Sequence, residues 1–422
     1  MTTNPFAAEE NWYLKMQCES TDLIHQSALA FQQLILTAIV VAGFLYTKTY
    51  YDNVRRHYAR ITVVVIGGGP VGLTAVLIAS KNIHVKKIYL FEESYRNNLV
   101  NKPNQVAFDF RSVTFLRTLG VDFDNMEGCW DNNIFFTRVG IFQDYLLSLI
   151  FKLNTETDVR LGTKFSRENI KDIESIHGRV LVIACDGNDG QASRILGLSD
   201  EFANHSYKAY GAVAGITRLD KCHLPLPERR VHNLFFDLSA YGASLDENGK
   251  AEGFTLKIFG SSRQRYMTLL VPKSECPMVK TMRLVLDRGM MRNIFVKCYN
   301  TYKSQGEVTL SETTAIKHLK FSPRLFELKL FQRLHTVAYF EDDDMFVIVE
   351  GESARCGNFH TGLDINNGIR GLMSLTAFIS LASCAVTEHA ILNAMMYKAR
   401  HDDNLCREFL RNGLRESMYS SY

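Results

Sequence analysis

The 422-residue chain carries 48 Lys and Arg against 45 Asp and Glu; a net charge of +3 at this size excludes a nucleic-acid coat and gives no reason to expect an acidic substrate. Its composition, 46% hydrophobic and 22% charged, is that of a globular protein with two or three domains' worth of core. Nine scattered cysteines without a C-x-x-C point to neither a zinc site nor a disulfide framework, and read most simply as reduced thiols facing cytosol.

Residues 1–25 are polar and mildly acidic (Glu9, Glu10, Glu19, Asp22) and read as a tail. Residues 26–47 contain no charge, and roughly 20 apolar residues are what a helix needs to cross a bilayer. Lys48, Arg55, Arg56 and Arg60 follow the stretch while acids precede it, so the positive-inside rule places the bulk of the protein in the cytosol, behind a single-pass membrane anchor. The stretch lies too far from the start, with too little positive charge before it, for an ordinary signal peptide. Gln32 and Gln33 interrupt it, which leaves a buried helix of a cytoplasmic protein as the alternative.

A β-branched run, Ile61 to Ile66, then ends in Gly67-x-Gly69-Pro70-x-Gly72, and a helix-compatible segment follows. A strand, glycine turn and helix in this order present backbone N–H groups at a helix N-terminus, where a pyrophosphate can sit. A second run, Lys87 to Phe91, ends in Glu92, at the spacing of a ribose-binding acid. Arg96-Asn97-Asn98 falls in the loop that would pass over the dinucleotide. Helices are expected from Arg111 to Gly120, and from Thr137-Arg138 through Leu149.

The run Arg179 to Ala184 opens into a turn in which Asp186-Gly187 and Asp189-Gly190 both qualify as the ligand-facing pair. Over 208–344 short alternating runs (Phe254 to Phe259, Tyr266 to Val271, Leu325 to Phe331) imply an antiparallel sheet, interrupted by one helix from Met278 to Lys303. Glu341 to Asp344 reads as a solvated turn. Met345 to Val349 is a buried strand leading to Gly351-Glu352 and a Gly/Asn-rich loop up to Gly371. One long apolar helix, Leu372 to Met396, and a charged tail, Tyr397 to Tyr422, complete the chain.

These stations resemble the FAD-dependent aromatic hydroxylase family, the p-hydroxybenzoate hydroxylase-like enzymes, and within it the monooxygenase domain of the MICAL proteins. Ile66 to Leu73, Arg96 to Leu99, Phe110-Arg111-Ser112, Arg138, the Asp-Gly turn and the Gly351–Gly371 segment carry the resemblance. It implies an α/β fold: a Rossmann-like FAD-binding domain in two parts (61–207 with a helical insert, and 345–422), with an inserted, mainly antiparallel substrate domain over 208–344. By the same resemblance Gly67, Gly69, Pro70 and Gly72 hold the FAD diphosphate and Glu92 the adenosine ribose. Arg96, Asn98, Arg111 and Arg138 lie near the diphosphate or the NAD(P)H path. Asp186-Gly187, or Asp189, faces the cofactor from the other side. Gly351, Glu352, Gly362, Asn366 and Gly368 hold the ribityl chain and flavin ring.

The activity so implied is a monooxygenase using NAD(P)H and O2 through a flavin C4a-hydroperoxide, releasing hydrogen peroxide when substrate is withheld. Its substrate would be an aromatic or lipid-like small molecule or a protein side chain, and nucleic acid is not an expected partner. A quinone- or sterol-type hydroxylase or epoxidase fed from the bilayer is one rival; a catalytically degenerate FAD-binding or scaffold protein is the other. Three departures favour the latter: Glu352 where the family has Asp, Phe359 where it has a loop proline, and Asp364 for its second glycine. His360 is the acid–base candidate beside that loop, and Trp130 could line a substrate pocket or pack in the core.

Overall fold

The structure is a computed structural model that describes residues 27–47, 61–102, 104–153, 155–217, 231–237, 253–261, 264–273, 276–305, 307–359 and 364–419. The chain divides into two compact units, 1–58 and 59–422. In the first, helix α1 (Ser27–Thr47) has 21 residues and a mean hydropathy of 2.1 over its most apolar window, long and apolar enough to cross a membrane. Thr37 and Thr47 turn their hydroxyls back onto the carbonyls of Gln33 (2.7 Å) and Gly43 (2.9 Å), which satisfies both within the helix.

The second unit opens with β1 (Ile61–Ile66), α2 (Pro70–Lys81) and β2 (Val85–Glu92). All six residues of β1 are buried, as expected of a parallel strand covered on both faces, and Ile66 ends level with Phe91 of β2. The chain then leaves this sheet through α3 (Arg96–Val100), β3 (Gln105–Phe108), α4 (Phe110–Thr118), β4 (Cys129–Asp131) and β5 (Ile134–Arg138). It returns along α5 (Val139–Ile150) to β6 (Thr157–Leu161), parallel to β2. After α6 (Arg167–Glu174), β7 (Arg179–Ala184) joins the opposite side of β1, also parallel. The sheet therefore reverses its winding between β1 and β7, and open α/β sheets take their ligands at such a point.

Past α7 (Ala192–Ile195) come β8 (Phe202–Thr217), β9 (His232–Asp237), β10 (Gly253–Ser261) and β11 (Gln264–Pro272), then α8 (Pro277–Val285), α9 (Arg288–Tyr302) and α10 (Glu312–His318). The last stretch holds β12 (Leu319–Phe321), β13 (Phe326–Arg333), β14 (Val337–Phe340), β15 (Met345–Val349), β16 (Arg355–Gly357), α11 (Asp364–Gly371), α12 (Leu375–Cys384) and α13 (Glu388–Tyr419). Mixed α/β architecture results: a sheet in the order β14-β15-β7-β1-β2-β6, parallel except for β14, and an antiparallel one in the order β16-β13-β8-β11-β10-β9, with β12 also on β8. A third, three-stranded sheet, β3-β5-β4, sits in the excursion between β2 and β6.

Strand alternation decides what each sheet faces. Leu256, Ile258, Met267, Leu269 and Val271 of β10 and β11 pack on Val279, Met291 and Phe295 of α8 and α9. The opposite face of those strands carries Thr255, Lys257, Phe259, Tyr266 and Thr268, and β10 lies against β3 and β5. The three-stranded sheet sends Val106, Phe108 and Phe135 into the core around α2 and α5, and groups Ala107, Ile134 and Phe136 on its other face.

Several expectations need correction. The single helix expected from Met278 to Lys303 is two, because Asp287 accepts the Met290 N–H (2.8 Å) and starts α9 afresh. The long apolar helix from Leu372 stops at Cys384: Arg179 donates to the carbonyls of Ala382 and Ala385, and the Thr387 hydroxyl accepts the Ala390 N–H (3.3 Å) as α13 begins. What read as a charged tail continues α13, which has 32 residues. The antiparallel region starts earlier than 208, with β8 at Phe202, while β14 folds across the Glu341–Asp344 turn onto β15 and edges the parallel sheet. Arg96 to Asn98 are helical, in α3, and the excursion read as a helical insert contains a sheet.

Candidate active site: a cleft where three loops meet

The loop after β1 is shaped by glycine. Gly67 has φ +103°, and a Cβ there would stand 2.4 Å from the Cys185 carbonyl oxygen. A Cβ on Gly72 would fall 1.9 Å from the Gly67 oxygen, so the first turn of α2 and the loop touch backbone to backbone. Gly69 differs: it is the N-cap of α2 at φ −66°, makes no side-chain cap, and has open space where a Cβ would be. With Pro70 at the first helical position, the remaining N–H groups of that turn have no intrahelical partner. An anion facing this uncapped end would meet the positive end of the helix dipole.

Gly72→Ala is therefore expected to cost about 3 kcal/mol by overpacking, read as a lower urea midpoint. Gly69→Ala should leave that midpoint within about 0.5 kcal/mol, the range of changes that touch no packed feature. It would instead place a methyl group in open space on the cleft side of the helix start, where it would crowd the approach of any phosphate held there.

At the end of β2, the buried Glu92 carboxylate accepts the N–H groups of Gly68 (2.5 Å) and Ser94 (2.8 Å). It thereby fixes the glycine loop to the neighbouring strand and keeps lone pairs for a further donor. The loop after β7 is held by Asp186, whose Oδ2 accepts the Ala192 N–H at 2.8 Å. The Ser353 hydroxyl lies 3.2 Å from Asp186 Oδ1 and 2.9 Å from the Gly187 carbonyl, either of which takes its proton. Gly351, at φ +69°, and Gly368 of α11 both close on Val71 of α2; a Cβ at 368 would stand 2.5 Å from Val71 Cγ2. So the third loop is packed directly on the first.

The three loops border one cleft of about 770 Å³, within the roughly 300–1,000 Å³ typical of ligand pockets. Gly67, Gly69, Pro70, Glu92, Asp186, Gly187, Gly351, Glu352 and Gly368 all line it. Asp186 and Asp189 both border it, but the Asp186 carboxylate is engaged in holding its own loop. Across the cleft stand Phe259, Gln264 and Tyr266 of the antiparallel sheet and Gln105 of β3. Burial pushes the Tyr266 phenol up to about 12, so it is neutral at physiological pH. Burial, then the nearby Glu350 and Asp186 charges, pushes the Cys185 thiol well above its ordinary value, which makes it a poor nucleophile.

Other expected residues lie elsewhere. Arg96 donates to Asp144 (2.6 and 2.8 Å), Arg111 pairs with Glu408, and Arg138 reaches Glu127 at 3.3 Å; none of the three borders the cleft. Asn98 is exposed on α3, also away from it. Asn366 is buried, with its amide on the backbone of β3: Nδ2 donates to the Ala107 carbonyl (2.8 Å) and Oδ1 accepts the Asp109 N–H (3.0 Å). Phe359 fills the space beside Gly211 and Leu328 in the antiparallel sheet. Trp130 stacks obliquely on Phe135, 5.0 Å between ring centroids, with Arg117 over its ring. His360 and Gly362 lie outside the described residues.

Sequence reasoning missed two features. Among the described residues, Lys102 and Lys164 are the cations that border the cleft, against six carboxylates: Glu92, Glu93, Asp186, Asp189, Glu352 and Asp364. Beneath the third loop lies a buried ion quartet. Glu350 pairs with Lys398 and with Arg355 (2.5 Å), and Asp402 pairs with Lys398 (2.6 Å) and Arg355 (3.3 Å). Burial pushes Asp402 upward, but the charges of Lys398 and Arg355 outweigh it and hold its carboxyl below the usual range. The Glu350 N–H also donates to the Ala184 carbonyl (2.9 Å), so the quartet anchors the loops after β7 and β15 together.

Among solved structures the chain is similar to the tetracycline destructase Tet(51) at 13% identity (84% of this chain, 90% of that one, TM-score 0.45). It is also similar to p-nitrophenol 4-monooxygenase from Pseudomonas putida DLL-E4 at 14% (86% and 90%, TM-score 0.47). A third is 2-methyl-3-hydroxypyridine-5-carboxylic acid oxygenase at 12% (86% and 93%, TM-score 0.47). Likeness at this level says nothing of what this chain binds or does. No protein-family model and no curated protein matches it.

Proposed function

We propose that the chain is a membrane-tethered, cytosol-facing flavoprotein monooxygenase that binds FAD in this cleft and uses NAD(P)H and O2 on a substrate held against the antiparallel sheet. The observation that carries the reading is the meeting of three separate glycine-bearing loops at an uncapped helix N-terminus, at the point where the parallel sheet reverses its winding. Gly67, Gly69 and the first turn of α2 would hold the diphosphate, Glu92 the ribose, and Gly351 with α11 the flavin end. Bound FAD would supply hydride acceptance and the activation of O2. The protein's own part is to orient substrate between Gln105, Phe259 and Tyr266 and to shield it from water. Helix α1 would be the anchor.

One observation favours a second reading, a degenerate flavin site kept as a scaffold. Among the described residues six carboxylates border the cleft against two lysines, and Glu352 and Asp364 stand at the flavin end, where negative charge opposes a reduced, anionic ring. Aerobic NADPH and NADH oxidation by the detergent-solubilised full chain, with hydrogen peroxide measured in parallel, separates the two. Nicotinamide consumption matched by peroxide supports the enzyme; flavin-loaded protein that consumes neither nucleotide supports the scaffold.

A further inference from the structure

Helix α8 turns an apolar side to solvent. Of its nine residues only Val279 is buried, with Met282 packed partly against the same core. A soluble helix held by so narrow a stripe would carry polar residues over the rest of its surface. Leu284, five residues on from Val279 and so on the far side of the helix, is instead 86% exposed. That exceeds every large apolar side chain of α1, where Tyr46 is the most open at 74%. Met278 and Val285, both exposed, lie two helical turns apart on the flank beside it, and exposed Met290 follows in the first turn of α9. Exposed apolar residues scattered singly need no explanation, but several gathered at one corner mark an interaction site.

Positive charge accompanies them. Residues 277–303 hold six Lys or Arg and one acid, in a chain whose whole net charge is only +3. The acid, Asp287, is occupied in accepting the Met290 N–H (2.8 Å) at the start of α9. Lys280, Arg283 and Arg288 are exposed around the apolar group. The Arg283 guanidinium lies over the Tyr210 ring, 4.8 Å from its centre, and keeps its charge at the surface. Arg288 and Arg324 line a shallow recess of about 530 Å³ between the start of α9 and the loop after β12.

Exposed Leu, Val and Met within a rim of Lys and Arg are what an interfacial helix presents to a bilayer: the apolar group enters the headgroup boundary and the cations meet phosphates. A second copy of this chain fits less well, because a two-fold contact would oppose this face to itself, basic against basic. Charge complementarity selects anionic lipid. We propose that the α8–α9 corner is an interfacial membrane contact, in which Met278, Leu284 and Val285 enter an anionic bilayer surface and Lys280, Arg283 and Arg288 bind its lipid phosphates. The cytosolic leaflet is the anionic one, which agrees with the cytosol-facing orientation proposed above. The inference rests on that reading only for a membrane within reach; attraction to anionic lipid needs neither α1 nor flavin.

The test reconstitutes the full chain carrying Leu284→Trp into bilayers with brominated acyl chains, once of phosphatidylcholine alone and once with phosphatidylserine added. Emission beyond that of the parent, which has two tryptophans, reports the new indole. With phosphatidylserine it is expected to shift to the blue and to fall by about half or more, since bromine quenches only at short range. Phosphatidylcholine alone, or high salt, should restore most of it. Tyr95→Trp, an open position at the start of α3 (67% exposed), supplies the unquenched control. Lys280→Glu with Arg288→Glu in the Leu284→Trp chain should remove most of the quenching while the urea midpoint stays in place. Val285→Trp serves should Leu284→Trp fail to fold. Quenching no greater than in Tyr95→Trp, quenching indifferent to phosphatidylserine, or a charge-reversed chain quenched as before would each overturn the proposal. So would a dimer in detergent that shields the indole at 284 from acrylamide, which gives the face to a second copy. Alkaline extraction of the same vesicles keeps the two readings apart. A chain that washes off yet is quenched with phosphatidylserine supports this contact and counts only against α1 as an anchor; one that stays embedded but unquenched does the reverse.

Discussion

Lys398→Met is expected to destabilise the protein by about 3–5 kcal/mol, the usual result of removing one partner from a fully buried ion pair. Lys398 and Glu350 are both wholly inaccessible, and Asp402 is nearly so. The quartet is neutral as it stands, with Glu350 and Asp402 against Arg355 and Lys398. Without the lysine, two carboxylates share one guanidinium where water cannot reach them. Lys398 also donates to the Gly371 carbonyl (3.3 Å), so its loss loosens α11 as well as the loop after β15. Urea-unfolding midpoints check the magnitude. Restoring neutrality with Lys398→Met plus Asp402→Asn should recover part of the loss, a coupling of about 1–3 kcal/mol. A double variant no more stable than the single one would refute the charge-balance argument.

Lys257→Met is expected to act in the opposite direction, stabilising the ligand-free protein by about 3 kcal/mol at neutral pH. Burial lowers the Lys257 pKa from 10.5 to about 8, and one unit is worth about 1.4 kcal/mol. Between these two values the unfolded chain carries a proton that the folded chain does not. Stability of the parent therefore rises as pH climbs from about 8 towards 10.5, and the full cost is present below pH 8. The advantage of the Met variant should be full at pH 7 and should shrink steadily up to pH 10. Thermal melts of both proteins across that range test this, and a Met variant less stable than the parent at pH 7 would contradict it.

The parts of this molecule that could be read from sequence are those written in short-range pattern. Unbroken β-branched runs mark β1, β7 and β15 because strands covered on both faces need no polar side chain. The glycines at 67, 69 and 72 are visible because each answers a contact or an opening within a few residues, or at the end of the neighbouring strand. What could not be read depends on distant partners. Lys398 and Asp402 sit on a charged helix that looks solvated until its buried stripe meets Glu350 and Arg355. Arg96 looked like a free cation beside the dinucleotide, whereas Asp144 on α5, reached only through folding, takes its guanidinium. Asn366 carried the expected residue type in the expected loop, but its amide satisfies the edge of β3. Tyr266 was legible only as a member of an alternating run, and Gln105 not at all; which face of each strand meets the cleft is decided by the pairing of three sheets.

Whether these loops are built around FAD is decided by titrating the flavin-stripped full chain with FAD, followed by flavin fluorescence and retained absorbance. Saturation is expected at one FAD per chain, with Gly69→Ala folding normally but binding much more weakly. Correctly folded protein that retains no FAD at any concentration would contradict it, and would identify the carboxylates at 352 and 364 as features of a cleft that no longer takes a flavin.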